Sequence, residues 1–325
     1  MTPGLVSIVV ASYNHAEYLV ERMQSLLAQT YPAIEILVID DCSPDNSVEI
    51  LKTFETDPRV RLIVREVNGG WVAVSNQGSE LASGEYLLYA NCDDACEPEM
   101  VSKLVEAMQK HPSAGVAFCR SLMVDASGKV LGDDYAGREP AFKARCAGDT
   151  LISGREMSRF LLHSCVMPNL SSVLMRKSDF LAAGGFSGQY KANSDWDLFF
   201  RLAERCDVAY VAAPLNHFRQ HETTVRSQTK SQVTYEEFFR LLLGEIRRLD
   251  LSFFERCKYR TRVMALWGHH LLTQPMHGLR NFPYHLGRVL ALDPPAVLFF
   301  PVAVVEHALS KVAGVLGRAF RSSNR

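Results

Sequence analysis

Residues 6 to 119 alternate short apolar runs with amphipathic segments, and this alternation restricts the fold more than any other feature of the chain. The first run, residues 6–11, is uninterrupted and rich in β-branched side chains, which is typical of a strand buried on both faces of a sheet. The segment after Asn14 places Leu19, Met23 and Leu26 at helical spacing and ends at Pro32. A strand and its crossover helix therefore open the chain.

Three more strands are predicted at residues 34–39, 60–64 and 86–90, with helices between them. Strands and helices that alternate at this spacing form parallel βαβ units with right-handed crossovers. The sequence Ser12-Tyr13-Asn14-His15 follows the first strand, where a dinucleotide-binding protein would have Gly-x-Gly-x-x-Gly. We therefore predict an α/β nucleotide-type fold, a mostly parallel sheet flanked by helices, and disfavour a Rossmann dehydrogenase.

The regular alternation ends after a predicted helix at residues 99–110 and a short strand at 116–119. Residues 121–149 are rich in Gly, Asp and Arg without clear periodicity, and long irregular loops of this kind are usually binding elements or lids. Strands are predicted again at residues 170–175 and 208–211, and the run 218–221 ends the α/β part. Only helices are expected from about residue 234 onward, so we predict domains of 1–225 and 226–325.

Acidic side chains occur at the ends of three predicted elements: Asp40 and Asp41, Asp93 and Asp94, and Asp195. Ligands of open α/β sheets bind beyond the carboxyl ends of the strands, where these acids would meet. The alternatives are a solvated turn for the Asp93-Asp94 pair and helix capping for Asp195. Clustered carboxylates repel one another unless they share a cation, and oxygen ligands suit Mg²⁺ or Mn²⁺ bound together with phosphates. The pattern predicts a site for a metal ion and a nucleoside diphosphate.

Four blocks in a fixed order resemble a known family. They are VSIVVASYN at residues 6–14, IDDCS at 39–43, the acid pair at 93–94 in the place of an Asp-x-Asp motif, and SDWD at 194–197. In these blocks the chain is similar to the family 2 inverting glycosyltransferases, which have the GT-A fold. The resemblance covers residues 5 to 225 and leaves a C-terminal helical extension outside it.

The resemblance implies which residues bind the nucleotide part of a sugar donor. Ala11, Tyr13 and Asn14 would lie along the nucleotide, with the Tyr13 ring stacked on the base, and Asp41 would contact the polar edge of the base. From the residues alone, Tyr13 could equally be an aromatic side chain that packs on its neighbours at a strand end. Asp40 is expected to hold the loop by hydrogen bonds rather than to contact the ligand.

The resemblance also implies the chemical roles of the remaining acids. Asp93 would contact the ribose or the sugar, and Asp94 would bind the Mn²⁺ or Mg²⁺ ion that bridges the diphosphate. Asp195 would be the general base, which takes the proton of an acceptor hydroxyl as that hydroxyl attacks the anomeric carbon. A base within hydrogen-bond reach of its nucleophile typically contributes about 10²- to 10⁴-fold to the rate.

Two positions depart from the family pattern. Ser75 stands where many relatives have an arginine, and Ser194 stands where an acid is frequent. If that arginine steadies phosphate, another cation must replace it, and the candidates are Arg65, Arg219 and His221. We assign Arg219 to the nucleotide-sugar site and His221 to the metal, because His221 resembles the late histidine that in some relatives approaches the diphosphate or the metal. A structural histidine is the alternative.

Charge is distributed unevenly along the chain. The net charge is −1, yet residues 256–325 hold ten Lys and Arg against Asp293 and Glu306, which leaves about −9 on residues 1–255. A basic tail on an acidic body suggests an anionic membrane surface or a phosphate-bearing lipid as partner, and a solvated basic helix face is the alternative. The apolar stretch 296–305 is too short to span a bilayer. It either lies in the membrane interface with Arg318 and Arg321 or packs on the body.

The cysteines and the first residues of the sequence predict the cellular compartment of the protein. The eight cysteines are scattered singly, and the closest pair, Cys92 and Cys96, has three residues between its members rather than the two of usual metal or redox sites. They are typical of reduced thiols in a cytoplasmic protein. A strand begins almost at once, with no basic region and apolar segment before it, so we expect no secretion. The predicted location is the cytoplasm, peripheral to the inner face of the cell membrane.

These features together predict a metal-dependent inverting glycosyltransferase. It would move a sugar from a nucleoside diphosphate, with UDP preferred, to a saccharide or lipid-linked acceptor in surface polysaccharide biosynthesis, without a nucleic-acid partner. A nucleotidyltransferase of similar fold is the first alternative, but it would need a Gly-rich basic loop after the first strand. A sugar-nucleotide-binding scaffold without turnover is the second, and the joint presence of Asp94 and Asp195 argues against it.

Overall fold

A mixed β-sheet with its longest pairings parallel is built around the first strand of the chain. The computed structural model describes residues 1–221, 231–273 and 282–301. In the described residues the strands, numbered in chain order, are β1 (Thr2–Ser12), β2 (Ile34–Asp40), β3 (Val60–Val64), β4 (Gly84–Asn91), β5 (Ala95–Cys96), β6 (Ala114–Val124), β7 (Val130–Asp133), β8 (Thr150–Ile152), β9 (Val173–Arg176) and β10 (Asp207–Arg219).

The helices are numbered in the same way. Those of the first part are α1 (Ala16–Leu27), α2 (Ser47–Lys52), α3 (Trp71–Leu81), α4 (Met100–Lys110), α5 (Pro140–Arg145), α6 (Gly154–His163), α7 (Lys177–Ala182) and α8 (Ser194–Ala203). Those of the second part are α9 (Ser231–Arg248), α10 (Phe253–Thr273) and α11 (Phe282–Leu292). Short 3-10 helices cover Asp134–Gly137, Leu170–Ser172 and Pro294–Phe299.

The strand order of the sheet is β3-β2-β1-β4-β9-β6-β10-β5. β1 pairs in parallel with β2 and β4, β2 with β3, and β6 with β10. β9 is antiparallel to both of its neighbours, β4 and β6, and β5, β7 and β8 add short antiparallel pairs. The predicted α/β architecture with a mostly parallel sheet is therefore confirmed, with an antiparallel strand inserted between its two parallel parts.

Alternate residues of β1 face different helix layers, because successive side chains of a strand point to opposite faces. Val6, Ile8 and Val10 belong to the main core with the apolar side chains of α1 and α4. Val9 faces α3, where Gly78 approaches so closely that a Cβ atom would overlap the valine side chain. Both faces of the central strand are covered, as its uninterrupted apolar sequence predicts.

The segment 121–149, expected to be irregular, contains regular structure. β6 runs on to Val124, β7 pairs back on it, and a 3-10 helix and α5 follow. Arg138 is buried there, paired with Asp134, with its guanidinium over the rings of Phe118 and Phe142. Such contacts between distant residues order a segment that has no local periodicity. The strand predicted at 208–211 is likewise longer and runs without a break through β10.

The chain divides into two compact units, Met1–Lys230 and Ser231–Arg325. In the second unit, Trp267 is buried and its ring stacks on that of Phe282, while Arg260 makes two hydrogen bonds of 2.7 and 2.9 Å to the buried carboxylate of Asp293. Among the described residues, no helix is both long enough and apolar enough to cross a bilayer. The predicted interfacial stretch 296–305 extends beyond the described residues, and Arg318 and Arg321 lie outside them.

Candidate active site

The acidic strand ends lie side by side at one edge of the sheet. Ala11 is paired with Asn91 in the register of β1 and β4, and Ser12 is paired with Asp40 in that of β1 and β2. Residues that directly follow these three strands therefore share one edge. This is the edge at which open α/β sheets bind ligands.

The corner between β1 and α1 presents an exposed ring beside an open cleft. The Tyr13 side chain is 44% exposed, although large aromatic side chains are usually buried. Asn14 has a φ of +54° and its N–H donates to Ser43 Oγ at 3.0 Å, which holds the corner. A cleft of about 350 Å³ lies next to this corner and is lined by residues 14–17 together with Asp45 and Asn46. The cleft and the exposed ring together offer space for a planar ligand.

Asp40 and Asp41 both hold loops. Asp40 accepts hydrogen bonds from the Ser12 and Ser43 hydroxyl groups, as expected from the sequence. The carboxylate of Asp41 is buried and accepts from the Arg65 guanidinium at 2.6 Å and from the N–H groups of Gly69 and Gly70. Asp41 therefore anchors the loop of residues 65–70 at the end of β3. Arg65, one of the three candidate cations for phosphate, is the ion-pair partner of Asp41.

Asp93 lies in a cluster with two histidines. Its Oδ2 atom is 2.9 Å from His221 Nε2. One ring nitrogen each of His15 and His221 and one Asp93 oxygen all lie within 4.8 Å of one another. Burial raises the pKa of Asp93, but the His221 hydrogen bond and the nearby charges of His15 and His221 outweigh burial and hold the pKa below its usual value. An ionised carboxylate beside two imidazoles is a donor set that fits a divalent metal ion.

Asp94 has the opposite environment. It is buried, and its Oδ2 accepts from Ser171 Oγ at 2.6 Å, Asn169 Nδ2 at 2.9 Å and Asn91 Nδ2 at 3.2 Å, while Oδ1 accepts from the Arg219 N–H at 3.0 Å. Burial and the charge of Asp93 raise the pKa of Asp94 to about 6. The sequence predicts Asp94 as the metal ligand; in the described residues, the group of side chains close enough together to hold a metal ion contains Asp93 and not Asp94.

Two buried arginines lie near the acid pair. Arg219, predicted to bind the nucleotide sugar, is 2% exposed. Its guanidinium donates to the carbonyl of Asp93 at 2.7 Å, to Glu21 on α1 at 2.5 Å and to the carbonyls of residues 125 and 126. It therefore connects the acid pair to α1 and to the β6–β7 turn. Arg22 is fully buried, and its positive charge opposes the rise in the pKa of Asp94.

Asp195 lies in the first turn of α8, where the positive end of the helix dipole favours a carboxylate. One of its oxygens accepts from the Trp196 N–H at 2.8 Å. The loop before α8 is attached to α3 by Asn76, whose side chain exchanges two 3.0 Å hydrogen bonds with the backbone of Phe186. The Phe186 ring also packs edge-on against Tyr89 of β4. The position of Asp195 is thereby coupled to the strand that carries the acid pair.

Sequence reasoning missed several residues of this site. His15 was seen only as part of the segment after β1, although a histidine directly after a strand was the available signal. Ser171 falls in the strand predicted at residues 170–175 and Asn169 directly precedes that strand, but both residues belong to the polar turn that encloses Asp94. No local pattern distinguishes such a turn from an ordinary strand end.

Comparison with known proteins shows which family part of the chain resembles. Residues 7–128 match the family model described as Glycosyl transferase family 2. Glycosyltransferase GlyG of Streptococcus pneumoniae is 41% identical over 154 residues, which is 45% of this chain and 51% of GlyG. The uncharacterized glycosyltransferase alr2836 of Nostoc sp. is 25% identical over 88% of this chain and 94% of its own length. The chain thus spans about half the length of GlyG.

Two solved structures share the fold. S. aureus TarS 1-349, in complex with UDP-GlcNAc, has a TM-score of 0.69 and 18% identity, covering 93% of this chain and 88% of that one. The mannosyltransferase PcManGT from Pyrobaculum calidifontis, in complex with GDP-Man and Mn²⁺, has a TM-score of 0.54 and 14% identity, covering 94% and 87%. The expected GT-A fold with C-terminal helices is therefore confirmed.

Proposed function

We propose that this chain transfers a sugar from a nucleoside diphosphate, with UDP preferred, to a hydroxyl group of a saccharide or lipid-linked acceptor. The match of residues 7–128 to the glycosyltransferase family 2 model supports this proposal. The cluster of His15, Asp93 and His221 at the sheet edge is the observation that carries the proposal. Carboxylate and imidazole groups at this edge fit a metal ion and its diphosphate.

The nucleotide is proposed to lie along the ends of β1 and β2. Tyr13 stacks on the base, because its ring is exposed beside the cleft, and the backbone of Ala11 and Asn14 lies along the nucleoside. Asp41 acts on the base through the loop that it anchors, since its carboxylate is buried and already accepts three donors. Arg219 is a positioning residue, because its hydrogen bonds hold the backbone and α1 rather than face the cleft.

Asp93 and His221 are proposed to hold Mn²⁺ or Mg²⁺. A cation bound there supplies positive charge beside the leaving diphosphate. The Asp94 carboxylate accepts four hydrogen bonds, which hold it to the polar turn of Asn169 and Ser171 and to β10. We therefore propose that Asp94 stabilises this turn and that Asp93 binds the metal ion.

Asp195 is proposed as the general base of a single displacement. The acceptor oxygen forms a bond to the anomeric carbon while the bond from that carbon to the diphosphate oxygen breaks, and the acceptor proton passes to the Asp195 carboxylate. Inversion at the anomeric carbon follows from attack on the face opposite the leaving group. Asp195 lies on a different element from the metal cluster, which keeps the proposed base separate from the proposed metal ligands.

The acceptor is proposed to belong to surface polysaccharide biosynthesis, with the enzyme at the cytoplasmic face of the cell membrane. The excess of eight positive charges over residues 256–325 supports an anionic surface as partner. TarS and PcManGT hold different nucleotides, so likeness of fold does not select the base.

A donor screen tests the proposal. Nucleotide release is measured for UDP-, dTDP- and GDP-sugars with Mn²⁺, with saccharide and polyprenyl-phosphate saccharide acceptors, for the wild type and for Asp195→Asn. We expect turnover with UDP-sugars and a loss of about 10²- to 10⁴-fold in kcat in the variant, with donor affinity retained. Donor binding without turnover in every combination would favour the scaffold alternative, and wild-type turnover in Asp195→Asn would exclude Asp195 as the base.

A further inference from the structure

His15 has one ring nitrogen bonded and the other without a partner. Its Nδ1 atom is 2.7 Å from the carbonyl oxygen of Tyr13. A carbonyl oxygen can only accept, so Nδ1 carries a proton; in the neutral form of the ring, which is the form that binds a metal ion, Nε2 presents a lone pair. In the part of the chain that the structure describes, Nε2 is buried and no donor reaches it. A buried polar atom without a partner costs about 1–3 kcal/mol, so a functional reason is expected for it.

The ring of His15 faces the second histidine of the cluster. The ring centroids of His15 and His221 are 5.3 Å apart in an edge-on arrangement, and Tyr18 packs against both rings. The hydrogen bond from His15 to the Tyr13 carbonyl is of the kind that fixes the tautomer and orientation of a metal-binding histidine. His15 is therefore oriented toward the cluster by the chain that precedes it.

We infer that His15 is a third protein ligand, which makes the cluster a two-imidazole, one-carboxylate site that binds a transition-metal cation before the nucleotide arrives. The inference rests on the proposed function, which puts a metal ion at this cluster with Asp93 and His221 as its ligands and gives His15 no task. Ligand atoms of a six-coordinate ion with bonds of ~2.1 Å lie ~3 to 4.2 Å apart. One donor atom of each of the three side chains lies within 4.8 Å of the other two, so small side-chain rotations would complete the site.

The ligand set determines which metal is preferred. Imidazole nitrogens suit Mn²⁺ and the later transition metals better than Mg²⁺, which prefers oxygen ligands and keeps its water. Three protein ligands leave the remaining positions of a six-coordinate ion open to diphosphate oxygens and water. The site should therefore select Mn²⁺ over Mg²⁺ and should bind it without nucleotide.

The test measures metal binding by the full chain in the absence of nucleotide. MnCl₂ and MgCl₂ are titrated calorimetrically, and pulsed EPR counts the ¹⁴N nuclei coupled to bound Mn²⁺. The variant is His15→Gln. The control is His217→Gln. His217 lies on β10 outside the cluster, and its side chain is hydrogen-bonded to that of Glu97. A cooperative thermal unfolding transition checks that each variant is folded. The number of coupled nitrogen nuclei is counted in the wild type, so this measurement does not depend on a variant.

We expect one Mn²⁺ with two coupled imidazole nitrogens in the wild type. His15→Gln should retain one nitrogen and lose at least about tenfold in Mn²⁺ affinity, with a smaller loss for Mg²⁺. His217→Gln should match the wild type. One coupled nitrogen in the wild type, or unchanged Mn²⁺ affinity in His15→Gln, would overturn the inference. If Mn²⁺ bound with two coupled nitrogens but no sugar donor were turned over, the proposed function would be contradicted and the inference about His15 would stand.

Discussion

Asp93 and Asp94 are neighbours in the chain, yet their side chains have opposite surroundings. Asp93 faces two imidazole rings, and 17% of its side chain is exposed. Asp94 is buried and accepts four hydrogen bonds from a polar turn and from β10. At the residue scale, the first is suited to a ligand and the second to holding the turn. The two acids should therefore respond differently to the same substitution.

Asp94→Asn should lower the free energy of unfolding by about 1–3 kcal/mol, because its amide group directs N–H donors at groups that are themselves donors. Asp93→Asn should change the free energy of unfolding less and should remove Mn²⁺ binding, because it replaces the anionic ligand. Urea denaturation and Mn²⁺ titration without nucleotide measure both effects. If the Asp94→Asn protein were stable but did not bind Mn²⁺, Asp94 rather than Asp93 would be identified as the metal ligand.

At the element scale, α3 connects the α8 region to the sheet. Gly78 lets α3 lie close against β1, and Asn76 on the same helix bonds the backbone of Phe186. The Trp71 indole N–H donates to the carbonyl of Lys191, a second attachment of the loop that leads to α8. The start of α8 therefore depends on a helix that is about 120 residues earlier in the chain.

Asn76→Ala should lower both stability and turnover while leaving the metal site intact. Two hydrogen bonds to the Phe186 backbone are lost, which should destabilise the protein by about 1–3 kcal/mol. The kcat for donor turnover should fall because Asp195 loses its fixed position, whereas Mn²⁺ affinity should not change. The control is Glu80→Ala, an exposed position on the same helix. An equal loss of Mn²⁺ affinity, or an unchanged kcat in the destabilised protein, would contradict this account.

At the scale of the whole molecule, charge separates the two parts of the chain. Residues 1–255 carry about −9, and residues 256–325 carry an excess of eight positive charges. Basic residues near an anionic bilayer each contribute about 1 kcal/mol of attraction. The tail should therefore direct the protein to anionic membranes.

Arg318→Glu combined with Arg321→Glu should weaken binding to anionic liposomes by about 30-fold or more, since two attractive charges are lost and two repulsive ones are added. Flotation with phosphatidylserine vesicles at low and high salt measures the bound fraction. The matched control replaces Lys52 and Lys110, which are exposed on α2 and α4, by glutamate. Equal flotation of both double variants and the wild type would rule out a membrane role for these arginines.

Local sequence patterns were enough to predict the parallel core and the edge of the sheet at which the candidate site lies. Apolar runs of strand length and helical periodicity are local properties, so β1 to β4 and their helices were predicted within a few residues of their observed bounds. The acids after β2 and β4 had to share an edge because parallel strands end on the same side.

Which side chains are exposed at that edge depends on contacts between residues that are distant in the chain. Asp41 is buried by Arg65 and two glycine N–H groups, Arg219 by backbone carbonyls, and Asp94 by a turn some 75 residues away. The approach of His15 to Asp93 and His221, and the insertion of β9 beside β4, also join residues far apart in the chain. Burial and hydrogen bonding between such residues depend on the packed whole, which no local pattern records.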